Sequence, residues 1–206
     1  MELKGENLSF KYDSSKRWIL KDLNINIKSG EIKGLVGDSG SGKSTLSKIL
    51  AGYIDNKNFE GKVEINGLNI SKNEYNPVQL IFQHPEQTMN PKWKMKDILY
   101  ESWNVDEDII EKFGIQKSWL NRWPNELSGG ELQRFSVLRA LSPNTKFLIA
   151  DEMTTMLDAV TQVQIWNLVI DLVRMKNIGM LVVSHDKDLI KKICDEVVYL
   201  DDINNF

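Results

Sequence analysis

Hydrophobic and polar residues near the N-terminus follow the pattern of short strands. Between Leu23 and Lys28 apolar and polar side chains alternate strictly, which is the period of a strand with one solvated face. Apolar positions at Leu3, Leu8 and Phe10 indicate a strand before it. The segment Glu60–Gly67 predicts another, ending in an Asn-Gly dipeptide that is typical of a tight hairpin turn. The first part of the chain is therefore predicted to be rich in strands.

Continuous apolar runs further along the chain indicate buried strands. Helical patterns separate them, and strands alternating with helices predict a mainly parallel sheet. The predicted strands are Ile32–Val36, Val78–Phe82, Phe147–Ala150, Met180–Val183 and Val197–Leu200, and the predicted helices among them are Thr45–Ala51, Ala159–Met175 and Asp188–Ile193. In the longest helix, one apolar side is predicted to contain Val163, Trp166, Val169, Ile170 and Val173.

The pattern changes from His84 to Ser142, where helical periodicity replaces that of strands. An irregular stretch with Pro85 and Pro91 precedes predicted helices at Met95–Trp103, Asp106–Phe113 and Glu131–Leu141. Tryptophans concentrate here and either fill a small core, which we favour, or face a protein partner. We predict one domain over 1–206, in which 1–83 and 143–206 form an α/β core with a β-subdomain and 84–142 an inserted helical subdomain.

Composition narrows the class of protein. The chain has 206 residues and a net charge of −3, without a basic stripe, so no nucleic-acid partner is expected. Cys194 is the only cysteine and can form neither an internal disulfide nor a metal cluster alone. The N-terminus lacks signal-peptide character, and no apolar run approaches the ~18 residues that span a bilayer. We therefore expect a cytosolic protein that reaches a membrane only through a partner.

A phosphate-binding motif lies between the first buried strand and the helix that follows it. It matches G-x-x-x-x-G-K-[ST], in which glycines let backbone N–H groups point at phosphate oxygens. The pattern predicts that Lys43 reaches the β- and γ-phosphates of a nucleotide and that the Ser44 hydroxyl holds Mg²⁺. The predicted nucleotide-binding residues are Gly37, Asp38, Ser39, Gly40, Ser41, Gly42, Lys43, Ser44 and Thr45.

Polar residues follow three of the predicted buried strands. Ligands of parallel sheets bind outside the carboxyl ends of the strands, so these side chains should converge beside the phosphate loop. Asp151 can hold the metal, and Glu152 can polarise a water for attack on the γ-phosphate. Gln83 and His185 are weak signals individually, because Gln83 could do no more than end its strand and His185 could merely cap the next helix. Together the four predict a catalytic site.

The segment Leu127–Glu131 precedes a predicted helix and contains two glycines. Ser128 and Glu131 form the S-x-x-E pattern of a capping box. Gly129 and Gly130 are unfavourable there by ~1 kcal/mol each relative to alanine, but bare glycines at a helix N-terminus admit a phosphate to exposed N–H groups. A second anion site in a separate subdomain suggests that two copies share each nucleotide.

With these motifs, the chain resembles the ATP-binding subunit of an ABC transporter almost end to end. The resemblance implies that Ser128, Gly129, Gly130 and Glu131 contact ATP in a second ATPase subunit, that Glu152 and His185 are catalytic, and that Gln83 joins Ser44 and Asp151 at Mg²⁺. The pattern alone indicates that Tyr12 is an aromatic residue at the end of a strand. The resemblance implies that Tyr12 stacks on adenine. It matches Asp158 to the D-loop aspartate, although Met153 and Met156 replace the usual proline and small residue.

Within the family, Phe82–Pro85 and Met89–Pro91 resemble the peptide and nickel importer group. That resemblance implies permease subunits in the membrane, a solute-binding protein acting indirectly, and a location on the cytoplasmic face of the membrane. The cargo stays open between peptides, nickel and a metal chelate, and the second ATPase between an identical and a homologous chain. The chain stops just after its last predicted strand, so we expect the group's C-terminal extension to be missing.

Two other functions fit parts of the pattern. Soluble ABC-type ATPases that act on nucleic acid or ribosomes share the motifs, but they usually carry long coiled coils or two ATPase units in one chain. A nucleotide kinase would share the phosphate loop and leave Leu127–Glu131 unexplained.

Overall fold

The computed structural model describes residues 1–12, 17–55, 57–71, 74–155 and 157–205. Its strands are β1 (Glu2–Phe10), β2 (Leu20–Lys28), β3 (Ile32–Val36), β4 (Glu60–Ile65), β5 (Leu68–Asn69), β6 (Val78–Ile81), β7 (Phe147–Asp151), β8 (Gly179–Val183) and β9 (Glu196–Tyr199). Its α-helices are α1 (Lys43–Leu50), α2 (Met95–Tyr100), α3 (Glu107–Lys112), α4 (Gly129–Ala140), α5 (Ala159–Met175), α6 (Lys187–Ile193) and α7 (Leu200–Ile203).

An antiparallel sheet in the order β2-β1-β4-β5 occupies the N-terminal side of the molecule. The alternation predicted for β2 is observed, since Leu23, Ile25 and Ile27 are buried between more exposed residues. The predicted hairpin turn joins β4 to β5, and both Asn66 (φ 51°) and Gly67 (φ 79°) adopt the left-handed conformation that such a turn requires.

A parallel sheet in the order β6-β7-β8-β3-β9 forms the centre of the fold. Every residue of β3, β7 and β8 is buried, as their continuous apolar runs predict. Side chains alternate between two cores: Ile149 faces α1 and the antiparallel sheet, whereas Leu148 faces α4 and α5. Helix α1 is thus enclosed between the two sheets, and the α/β class predicted from sequence is confirmed.

Between β6 and β7 the described elements are all helical. They comprise α2, α3, α4 and three short 3-10 turns at Pro85–Thr88, Lys117–Asn121 and Pro124–Glu126. Phe113, Phe135 and Trp119 are buried among them, whereas Trp93 and Trp123 are 41% and 43% exposed. The core interpretation therefore holds for Trp119, and contact of Trp93 or Trp123 with a protein partner remains a prediction. Assigning 84–142 to a separate subdomain remains a prediction.

Two details of the C-terminal half differ from the pattern-based expectation. Val163 is 57% exposed, and the buried side of α5 contains Ile165 with Trp166, Val169 and Val173. Leu200 does not end the last strand but begins α7 and is fully buried. Within the ranges given above, no helix is long and apolar enough to cross a membrane.

Candidate functional site

The phosphate loop leaves β3 and enters α1 with its lysine folded back over it. The Lys43 amine donates hydrogen bonds to the carbonyl oxygens of Gly37 and Asp38, each at 2.8 Å, and the side chain is only 6% exposed. Gly40 (φ 78°) and Gly42 (φ 111°) adopt backbone conformations that other residues rarely reach. The loop is therefore curled around its own lysine.

A cavity of about 320 Å³ opens against this loop. Gln83, at the end of β6, and Glu152, directly after β7, reach it from the parallel sheet. Tyr12 is half exposed on its wall and packs edge-on against Phe10, with ring centroids 5.0 Å apart. The lining residues are Tyr12, Ile19, Ser39, Gly40, Gly42, Lys43, Ser44, Thr45, Gln83 and Glu152. Ile19, from the segment before β2, carries no signal in the sequence.

Asp151 lies at the end of β7, beneath the phosphate loop. The side chain is buried, and this burial raises the pKa of its carboxyl group, an effect that the neighbouring Ser44 hydroxyl partly offsets. Its Oδ1 atom is buried without a hydrogen-bond partner among the described residues. A buried carboxylate oxygen beside a serine hydroxyl suits a hard cation such as Mg²⁺, whose remaining ligands are waters and substrate phosphates.

No cluster of three or more His, Cys, Asp or Glu side chains occurs among the residues that the structure describes. A cage built from protein carboxylates alone is therefore not formed there. The donor set around Asp151 and Ser44 fits a cation that arrives with a nucleotide.

Glu152 occupies an uncommon backbone conformation, with φ 49°. Its N–H donates to the Val183 carbonyl oxygen of β8 at 2.9 Å, which fixes the residue to the neighbouring strand. Its Oε1 atom lies 3.3 Å from Nδ1 of the exposed His185 side chain. The predicted convergence of these two residues is observed, and the carboxylate on the cavity wall can accept a proton from a water molecule.

Thr155 links the ends of two strands and is absent from the sequence-based site. Its hydroxyl accepts a hydrogen bond from the Gln83 side chain at 3.0 Å and donates to the Glu152 carbonyl oxygen at 3.1 Å. Gln83 is therefore held beside the turn that carries Glu152. The only sequence signal for this contact is a pair of threonines, Thr154-Thr155, shortly after the acidic pair.

The glycine-containing segment before α4 forms the capping box that its pattern indicates. The Ser128 hydroxyl accepts from the Glu131 N–H at 3.3 Å, and the Glu131 carboxylate accepts from the Ser128 N–H at 2.7 Å. Apart from the chain neighbours and the backbone of α4 itself, no atom of the described residues lies within 4 Å of the position a Cβ would take at Gly129, so the helix tip is open at this residue. Residues 128–131 do not line the phosphate cavity of their own chain.

Asp158 lies at the N-terminus of α5 and caps it. Its carboxylate accepts from the N–H groups of Val160 and Thr161 at 3.1 and 3.0 Å and from the Thr161 hydroxyl at 2.7 Å. These hydrogen bonds, the hydroxyl's first, lower the pKa of Asp158. Met153 is buried, and Met156 lies outside the described residues.

Comparison with known proteins identifies relatives of this architecture. The family model described as ABC transporter matches residues 20–155. The oligopeptide transport ATP-binding protein OppF of Streptococcus mutans is 34% identical over 96% of this chain and 70% of its own length. The dipeptide transport ATP-binding protein DppF of Lactococcus lactis is 31% identical over 93% of this chain and 69% of its own. The nickel import system ATP-binding protein NikE of Staphylococcus aureus is 32% identical over 98% of this chain and 87% of its own length.

Solved structures show the same fold. The ATP-binding subunit of an ABC transporter superposes with a TM-score of 0.83 at 21% identity, over 97% of this chain and 85% of that one. A dimeric ATP-binding cassette in a post-hydrolysis state, bound to ADP and phosphate, gives a TM-score of 0.80 at 25% identity, over 96% of this chain and 93% of that one. The chain belongs to the ABC transporter family as one of its ATPase subunits, and it is similar to the subunits of peptide and nickel importers.

Proposed function

We propose that this ATPase binds Mg-ATP in the cavity beside Lys43 and hydrolyses it with Glu152 as the general base. The observation that carries the proposal is the lining of one cavity by Lys43, Ser44, Gln83 and Glu152, with Asp151 buried beneath it. The lysine and the N–H groups of Gly37–Thr45 would hold the phosphates, and the exposed ring of Tyr12 would stack on adenine. Glu152 would take a proton from the attacking water.

Ser44, Gln83 and Asp151 are the residues that would hold Mg²⁺, which would neutralise charge on the β- and γ-phosphate oxygens. His185, whose ring touches the Glu152 carboxylate, would contact the γ-phosphate and orient that carboxylate. Catalysis in this arrangement consists mainly of positioning and charge stabilisation.

A second ATPase subunit, identical or homologous, would complete each site. The helix tip formed by Ser128, Gly129 and Gly130, which is open at Gly129, would bind the nucleotide held by the other subunit, and Glu131 would keep that tip capped. Asp158, at the start of α5, would lie at the contact between subunits. A dimeric relative with ADP and phosphate supports this assembly.

The chain would act on the cytoplasmic face of the membrane, held there by permease subunits that dock at the helical subdomain near His84–Lys96. The names of OppF, DppF and NikE support a peptide or nickel importer. A metal chelate is the further cargo that we propose, and a solute-binding protein would deliver the cargo to the permease. Uptake of labelled peptide and of nickel by vesicles containing this ATPase and its permease would separate the cargoes. Failure of the chain to co-purify with any permease would contradict the transport role.

The proposed chemistry is tested by Glu152→Gln. The substitution keeps size and hydrogen-bonding capacity but removes the base, so ATP binding should persist while hydrolysis falls by the 10²–10⁴-fold that a general base contributes. Binding is measured with a fluorescent ATP analogue and hydrolysis by phosphate release, with and without Mg²⁺. Undiminished hydrolysis in the variant would remove Glu152 from this role.

A further inference from the structure

The turn that carries Glu152 is anchored from below by a buried tryptophan. The Trp166 indole, in the second turn of α5, donates a hydrogen bond to the Thr154 hydroxyl at 3.0 Å. Both side chains are 4% exposed, so water does not compete for this bond. Gln162, one helical turn earlier, donates to the carbonyl oxygens of Thr154 and Leu157 at 2.8 and 3.2 Å. The middle of the turn is therefore bound to α5 at several points.

This turn connects directly to the groups of the site. Glu152 and Thr155 are its two ends, joined by the Thr155 N–H, which donates to the Glu152 carbonyl oxygen at 3.3 Å. The Thr155 hydroxyl also holds Gln83. The left-handed conformation of Glu152 is one that surrounding contacts must maintain, because a side chain disfavours it. Movement of Thr154 would shift both the carboxylate of Glu152 and the amide of Gln83.

We infer that Trp166 is a positioning residue for ATP hydrolysis, acting through Thr154 to hold Glu152 and Gln83 in register with the phosphate loop. Trp166 is itself fixed in the core, between Ile165 and Val169 on the buried side of α5. It supplies a rigid anchor for Thr154. The inference rests on the role proposed for Glu152.

Two substitutions remove the bond from either end. Trp166→Phe keeps an aromatic ring but no N–H, and Thr154→Val keeps the shape of threonine but no hydroxyl. The net free energy of one intramolecular hydrogen bond corresponds to a change of roughly 2- to 13-fold in an equilibrium or rate constant. Each variant should therefore lower kcat for ATP by about 3- to 10-fold while KM stays within about 2-fold. The double variant should lose no more than the larger single effect, since both changes remove the same bond.

Trp103→Phe is the matched control. Its indole donates to the Leu138 carbonyl oxygen at 3.3 Å in the helical region, away from the turn. This variant should lose a similar amount of thermal stability and keep kcat. If Trp166→Phe leaves kcat within 2-fold of wild type, if the two effects multiply in the double variant, or if Trp103→Phe lowers kcat equally, the inference is overturned. Thr154→Val decides the question if Trp166→Phe does not fold.

Glu152→Gln, measured in the same series, separates this inference from the proposed function. Hydrolysis that survives in Glu152→Gln contradicts the role of the base. Loss of hydrolysis in Glu152→Gln together with normal kcat in Trp166→Phe and Thr154→Val overturns only the positioning role.

Discussion

Asp151 is predicted to reduce the stability of the nucleotide-free protein, so Asp151→Asn should raise it. The carboxylate is buried, and its Oδ1 atom has no described partner. An unsatisfied buried polar group costs about 1–3 kcal/mol and a charged one more, and an amide of the same shape avoids the cost of burying the charge. Taking about 2 kcal/mol, and a shift of about 2–4 °C per kcal/mol for a chain of this size, Tm should rise by about 4–8 °C.

The pH dependence of this gain follows from the direction of the pKa shift. Burial raises the pKa of Asp151 above its ordinary value of 3.8, so the wild-type carboxylate destabilises the fold at pH values above the raised pKa. The penalty decreases as the pH falls through the raised pKa and is gone below 3.8, where the group is protonated in both the folded and the unfolded state. The stability difference between Asp151→Asn and wild type should be largest near neutral pH and shrink in acid.

The assay is thermal unfolding of both proteins without nucleotide, from pH 8 downward, followed by the same scans with Mg²⁺ and ATP. A ligand at 100 times its Kd stabilises by about 2.7 kcal/mol, so wild type should overtake the variant when Mg-ATP is added. Asp171→Asn, at an exposed position of α5, is the charge-matched control and should leave Tm unchanged. A variant no more stable than wild type at neutral pH, or a difference that grows in acid, would refute the reasoning.

Two further predictions concern the phosphate loop and the lone thiol. Gly42→Ala should abolish binding of a fluorescent ATP analogue, because its Cβ would lie 2.9 Å from the Ile19 side chain at a backbone φ of 111°. Gly40→Ala is strained at φ 78°, but beyond the adjacent residues no described atom lies within 4 Å of its Cβ, so it should weaken binding less. Equal effects of the two substitutions would contradict this prediction. Cys194 should resist iodoacetamide at pH 8 in the folded protein and react quickly in urea, because burial raises the pKa of its thiol to about 12. Fast labelling of the native protein would contradict this prediction.

The sequence predicts the phosphate loop and the central strands well for a physical reason. The loop binds through backbone N–H groups, so its glycines and lysine are fixed by local geometry rather than by distant contacts. Strands buried on both faces require continuous apolar runs, and β3, β7 and β8 show them. The meeting of Glu152 with His185 followed from the parallel order of the strands that carry them.

The parts that were missed depend on tertiary packing. At about 100° per residue, Val163 lies roughly 100° around α5 from the middle of the buried side, and only contact with the sheet decides which apolar residues that side includes. The Thr155 bridge arises because Glu152 adopts φ 49° and bends the turn, which no periodicity indicates. Trp166 looked like core packing alone, and its hydrogen bond depends on where the turn after β7 comes to lie.

The capping box before α4 determines which hydrogen-bonding roles of the Ser128 hydroxyl remain unused. A serine hydroxyl has two acceptor sites and one hydrogen, and capping the Glu131 N–H occupies an acceptor site of Ser128. Its hydrogen is not used by the cap and stays available to an acceptor outside the helix. An anion arriving from another molecule at the open side of Gly129 would therefore meet a hydroxyl group that can still donate, without the helix losing its cap.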